Sequence, residues 1–250
     1  MSVKGLIFDL NGTLIDITTN ESDDQVYRVT ANFLDYYGVQ IPPEQLKKNF
    51  FDLNRRQRHE SEEEFPEFDS AKIFCDIIEN FKQKPIENIQ KLAETTSKVF
   101  RAASRYKLKC YDGVYECLQE LKNIYSLSAL SDGQTLWAKP EIFSVKLHDF
   151  FPIVLISGDF GYRKPDPRLF EAALNAMKLQ ADEVIFIGND MYRDIYGAQS
   201  AGIKTIFFKS NQGDQEYHGA EADYIIYNIR ELPKAIEFIQ NKQKMQHTQE

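Results

Sequence analysis

Six short runs rich in Val, Ile, Leu and Phe recur along this chain, at 5–8, 125–130, 152–156, 184–187, 205–208 and 224–227. All are short and largely apolar, which suits burial on both faces. That is the signature of a parallel sheet covered by helices. Helical periodicity fills the gaps at 113–121, 166–178, 190–201 and 230–240, as βαβ units require. The expected class is α/β, with a doubly wound, Rossmann-like parallel sheet. At 250 residues and 42% hydrophobic, the chain holds enough apolar material for a sizeable core.

The stretch from about 18 to 106 reads differently. Helices are expected at 26–37, 71–81 and 86–101, and no strand is expected between them. Val26, Val29, Phe33 and Tyr37 recur at helical spacing on one side. The reading is an all-helical cap domain at 17–105 threaded into a core of 1–16 and 106–250. Tyr36, Tyr37, Trp137 and Phe143 read as packing residues. The polar tail beyond Lys242 is expected to fray.

Charge and composition narrow the function classes. A formal net charge of -8 disfavours binding to a phosphate backbone, so no nucleic-acid partner is expected. No apolar run approaches the ~18 residues that a membrane span needs. The first strand begins within a few residues of the start, which leaves no room for a secretion signal. Cys75, Cys110 and Cys117 lack CxxC spacing and read as reduced thiols in a cytoplasmic protein, expected to be buried as small hydrophobes. His59, His148, His218 and His247 are scattered, so a zinc site is not expected. Nothing specifies a protein partner.

Four segments carry the chemistry. Asp9-Leu10-Asn11-Gly12-Thr13-Leu14 follows the first apolar run and sets a carboxylate in a tight turn at a strand's end. Leu130-Ser131-Asp132-Gly133 ends a second strand with a hydroxyl. In Gly161-Tyr162-Arg163-Lys164-Pro165-Asp166-Pro167, a lysine precedes a helix that Asp166 can cap. Gly188-Asn189-Asp190-Met191-Tyr192-Arg193-Asp194 gathers acids at a helix start. In an open α/β sheet the carboxyl ends of the strands share one crevice. One carboxylate, one hydroxyl, one lysine and an acid pair gathered there are suited to moving a phosphoryl group. Asp9 can attack phosphorus. Lys164 and Mg²⁺ can neutralise the phosphoryl oxygens. Ser131 and backbone N–H groups can hold those oxygens, with Gly12, Thr13 and Asp132 in the same set; Asp132 also suits a turn or cap. Asp190 and Asp194, four apart on one helix face, can anchor the metal.

In this order the four segments resemble the haloacid dehalogenase-like hydrolase superfamily. The resemblance covers 1–17 and about 107–230, and the helical stretch resembles that family's cap inserted after the first strand. It implies that Asp9 is the nucleophile and Ser131 the phosphate-binding hydroxyl. It also implies that Lys164 is the lysine of the third motif and that the metal site draws on Asp9, Asn11, Asn189, Asp190 and Asp194. The expected function is a Mg²⁺-dependent phosphatase acting on a small phosphorylated metabolite through an aspartyl phosphate.

Two residues depart from the family pattern. Asn11 stands where its phosphatases carry an Asp that gives and takes the leaving-group proton. An amide does neither, though its backbone carbonyl can still bind the metal. The loss is worth about 10²–10⁴ in rate on poor leaving groups. Asn189 stands where the first metal acid is usual, and Asp190 can substitute. These departures keep two other readings open: a metal-independent 2-haloacid dehalogenase, and a catalytically weak member acting as a binding protein. Arg55, Arg56 and Arg58 read as a solvated helix face or as a source of one arginine for an anionic substrate. Arg193 reads as a surface or packing residue.

Overall fold

The computed structural model describes residues 2–247. Six strands form one parallel sheet. β1 (Gly5–Phe8) lies between β4 (Ser126–Ser131) and β6 (Val184–Gly188). Outside these run β5 (Ile153–Ile156) on one side, and β7 (Lys204–Phe208) and β8 (Tyr224–Ile226) on the other. Phe8 sits in register with Ala129 and Ile187. The chain leaving β1, β4 and β6 therefore arrives at one edge, where the strand order changes direction.

Alternate residues of β1 serve two helix layers. Leu6 and Phe8 pack with α5 (Val114–Leu121) and α9 (Leu232–His247). Ile7 packs with α7 (Pro167–Met177) and α8 (Gly197–Ser200). The helix α9 runs through the stretch after Lys242 that was expected to fray, as far as His247; residues 248–250 lie outside the described residues. No described helix is long and apolar enough to cross a membrane.

Between β1 and α5 the chain makes four helices with a core of their own: α1 (Asp24–Tyr36), α2 (Pro43–Glu60), α3 (Ser70–Phe81) and α4 (Ile89–Ser104). Asp23, Asp69 and Asn88 cap three of them by accepting backbone N–H bonds from Gln25, Lys72 and Lys91. The buried face of α1 differs from the one expected. It is Val26, Tyr27, Thr30, Ala31 and Leu34, whereas Val29 and Tyr37 face solvent and Phe33 is half-buried. Both stripes fit a helical period and share Val26, so spacing alone did not separate them. Tyr36 is 85% exposed and Phe143 lies on the surface stacked on His148, so neither is core.

Two strands were not expected. β2 (Ile15–Thr19) and β3 (Arg105–Cys110) pair antiparallel where the helical insert leaves and rejoins the sheet. A core helix, α6 (Thr135–Ser144), was also missed. It fastens the insert to the core. Trp137 is buried among the insert's residues, and its Nε1 donates to Ser97 Oγ at 2.8 Å. Arg101 of α4 donates to the buried Glu141 of α6 at 2.7 Å. Gln134, just before α6, accepts from the Ser70 N–H at 2.9 Å. Trp137→Ala should cost about 3–5 kcal/mol, the usual range for deleting a buried aromatic. Thermal unfolding should show a Tm lower by on the order of 10 °C. A change of a degree or two would mean that α6 does not hold the insert.

Candidate active site

Asp9 leaves β1 with its N–H bonded to the Ile187 carbonyl at 2.9 Å, and the residue is only 4% exposed. One carboxylate oxygen accepts from Lys164 Nζ at 2.7 Å and the other from the Thr13 hydroxyl at 2.9 Å. Lys164, 2% exposed, reaches this point from the loop before α7, whose first turn Asp166 caps through the Arg168 N–H. Its ammonium also meets Asp194 at 2.6 Å. Burial pulls the Lys164 pKa down, but Asp194, Asp9 and Asp132 outweigh it and hold the group above the usual lysine range.

The fourth segment does not continue β6 into the α-helix expected at 190–201. It makes one π-turn, Met191–Tyr196, before α8. Such turns widen the backbone locally and are frequent at functional sites. This one brings Asp194 back against Gly188, where a Cβ would come within 2.4 Å of the Asp194 side chain. The returned carboxylate accepts from the Asn189 and Asp190 N–H groups at 3.0 and 3.1 Å. Burial pushes the Asp194 carboxyl up to about 6. Lys164 offsets this only in part, because Asp9 shares that ammonium and repels Asp194. Gly12, at φ +91°, leaves space that Asn189 fills; a Cβ there would meet the Asn189 amide at 2.4 Å.

These residues enclose a cavity of about 40 Å³, lined by Asp9, Asn11, Asp132, Lys164, Asn189, Asp190, Arg193 and Asp194. Ser131, Gly12 and Thr13, expected to hold phosphate, do not line it. Thr13 instead bonds Asp9 and the Asn189 side-chain oxygen, and the buried Ser131 hydroxyl makes only a 3.4 Å contact with the Asp132 carbonyl. Larger hollows of about 530 and 360 Å³ lie on the insert, between Tyr37 and Thr95 and between Leu53 and Asn80. No residue of either belongs to the sheet's carboxyl edge, whereas the small cavity lies where β1, β4 and β6 end.

Asp190 is engaged differently from the expectation. It caps the π-turn through the Tyr192 and Arg193 N–H groups, and its second oxygen takes the Arg193 guanidinium at 2.7 Å and the Asp214 N–H. Burial raises its pKa, and Arg193 with these N–H groups outweighs burial and holds it below the usual range. The oxygens of Asp9 and Asp194 are engaged to a similar degree, so hydrogen bonding alone does not rank the three acids as metal donors. Arg193, read as a bystander, is its partner and a wall of the cavity. The readable signal was an arginine three residues after an acid on a helical turn.

A search with family sequence profiles matches residues 6–208 to the one described as haloacid dehalogenase-like hydrolase. The chain belongs to this hydrolase family. Among curated family relatives, a glyceraldehyde 3-phosphate phosphatase of Pyrococcus furiosus is 36% identical over 124 residues. The match covers 48% of this chain and 50% of that protein, so the chain matches about half the length of this relative. The pyrophosphatase PpaX of Halalkalibacterium halodurans is 24% identical over 93% of this chain and 96% of its own. Among solved structures, a 2-haloacid dehalogenase of Pseudomonas syringae superposes with a TM-score of 0.68 at 20% identity, covering 94% of this chain and 98% of that one. At that identity the likeness carries the fold and says nothing of the chemistry.

The donors of the cavity fit Mg²⁺. Four carboxylates against two cations leave a formal excess of two negative charges. Every candidate donor is an oxygen, as this ion prefers. Among the described residues no three His, Cys, Asp or Glu side chains close on one point. A metal here would draw on two of these carboxylates with carbonyl oxygens and water, a donor set that Mg²⁺ accepts.

Proposed function

We propose that this chain is a Mg²⁺-dependent phosphatase that acts on a small phosphorylated metabolite through an aspartyl phosphate. The observation that carries the reading is the buried Asp9 carboxylate at the sheet's carboxyl edge, held by Lys164 at 2.7 Å. Two relatives named as phosphatases of phosphorylated compounds support the substrate class. Asp9 attacks phosphorus, with Thr13 holding its second oxygen. Lys164 neutralises charge on the phosphoryl oxygens. Ser131, Gly12 and the loop N–H groups are the proposed holders of those oxygens. Asp9, Asp194, the Asn189 side chain and the Asn11 carbonyl would hold the metal, with Asp190 placed to orient Arg193 instead. Bound there, Mg²⁺ would supply further charge neutralisation to the phosphoryl group.

The insert at 17–105 is proposed as a cap that excludes water during transfer. Three free thiols, Cys75, Cys110 and Cys117, suit a reducing compartment, which we take to be the cytoplasm. The test is hydrolysis of p-nitrophenyl phosphate with Mg²⁺ and after EDTA. Turnover should fall by about 10³-fold or more without metal and return on adding Mg²⁺. Metal-independent halide release from a 2-haloacid, in place of phosphate release, would overturn the reading.

A further inference from the structure

Among the described residues, one acid in the cavity has an oxygen that nothing engages. Both oxygens of Asp9 are taken by Lys164 and Thr13. Both of Asp194 are taken by Lys164 and two backbone N–H groups, and both of Asp190 by Arg193 and the N–H groups it caps. Asp132 is different. Its Oδ1 accepts from the Lys164 N–H at 3.0 Å, which fixes the carboxyl group. Its Oδ2 is buried with no hydrogen-bond partner. The nearest cationic nitrogen, Arg193 Nη1, is 4.0 Å away and too far to donate. A buried carboxylate oxygen left unpaired costs free energy and calls for a proton or a ligand.

The same cavity holds Asn11, whose amide cannot move a proton. We propose that Asp132 gives and takes the leaving-group proton in this enzyme, the role that Asn11 cannot fill. The inference rests on the phosphatase reading and deepens it. In the first step a bond forms between Asp9 oxygen and phosphorus while the bond from phosphorus to the leaving oxygen breaks. The Asp132 proton passes to that oxygen, which departs as an alcohol. In the second step water attacks phosphorus, its proton passes to the Asp132 carboxylate, and the Asp9–phosphorus bond breaks. Inorganic phosphate leaves and Asp132 is again protonated. Its surroundings suit this task. Burial pushes the carboxyl up, Lys164 and Arg193 pull it partly back, and Asp194 adds negative charge that favours the protonated form.

Asp132→Asn keeps the oxygen that Lys164 N–H needs and removes only the exchangeable proton. With Mg²⁺ present, its kcat/KM on a simple alkyl phosphate, which reads the first step alone, should fall about 10²–10⁴-fold. On p-nitrophenyl phosphate, whose leaving group needs no proton, kcat/KM should fall less than about 10-fold, whereas kcat falls with the loss of the base for water attack. Aryl kcat/KM in the same sample controls for folding. Asn11→Asp added to Asp132→Asn should restore alkyl turnover by 10-fold or more, and it should help the wild type far less. Equal losses of kcat/KM on both phosphates would overturn the inference. So would equal gains from Asn11→Asp in both backgrounds, or Mg²⁺ affinity weakened 10-fold by calorimetry, which would make Asp132 a ligand. If the wild type hydrolyses neither phosphate, the phosphatase reading fails and takes this inference with it. Wild-type turnover with equal losses removes Asp132 alone.

Discussion

Asp9→Asn should abolish aryl-phosphate hydrolysis, by about 10⁴-fold or more, without unfolding the protein. The amide keeps the size of the carboxyl group and an oxygen that can still accept from Lys164 or Thr13. It cannot attack phosphorus as a carboxylate does. Losing a nucleophile outright typically removes several orders of magnitude, and 10⁴ corresponds to about 5.4 kcal/mol of barrier. Stability should move little, because Asp9 shares one ammonium with Asp194 and the cavity carries more carboxylates than cations. Removing one negative charge relieves repulsion about as much as it forfeits attraction. The measurements are kcat on p-nitrophenyl phosphate and Tm on the same preparation. A variant that keeps a tenth of the wild-type rate would show that another group attacks phosphorus and that the centre is misassigned.

The sheet was legible because strands buried on both faces carry no competing pattern. Val184 to Gly188, for instance, is buried throughout. The ribbon β2–β3 was not legible, because Arg105, Lys107 and Lys109 give β3 the look of a surface segment. Helix α2 escaped notice because only Leu46 and Phe50 of its 18 residues are buried. Helix α6 was hidden by Pro140 in its interior, which reads as a breaker. At the site, residue types at strand ends were enough to bring Asp9, Asp132, Lys164 and Asp194 into one cavity. Saturation of an acid cannot be read from sequence, since it depends on which N–H groups a turn presents. Asp190 and Asp132 looked alike in the chain, and the π-turn gives one of them every partner it can use and leaves the other short by one.

Lys164→Met should be the most destabilising single change at the site, and its cost should depend on metal. In the wild type one buried ammonium holds two buried carboxylates, at 2.7 Å to Asp9 and 2.6 Å to Asp194. Removing the cation leaves both acids facing each other without compensation. Breaking a buried pair from one side costs about 3–5 kcal/mol, which in a chain of this size lowers Tm by on the order of 10 °C. In EDTA the full deficit should appear. Saturating Mg²⁺ should recover a large part of it, because an ion that binds only the folded state stabilises by mass action, and the variant cavity is more negative than before. The deficit should also shrink as pH falls toward 5. Two facing carboxylates take up a proton more readily when folded than when unfolded, so the folded state binds the extra proton and gains stability with acid. Met fills most of the space of the lysine stem, so little of the effect would come from a void. A Tm within a degree or two of wild type in EDTA would place these two contacts with exposed ion pairs, worth about 0–1 kcal/mol, and would mean that Lys164 does not set the charge balance of the site.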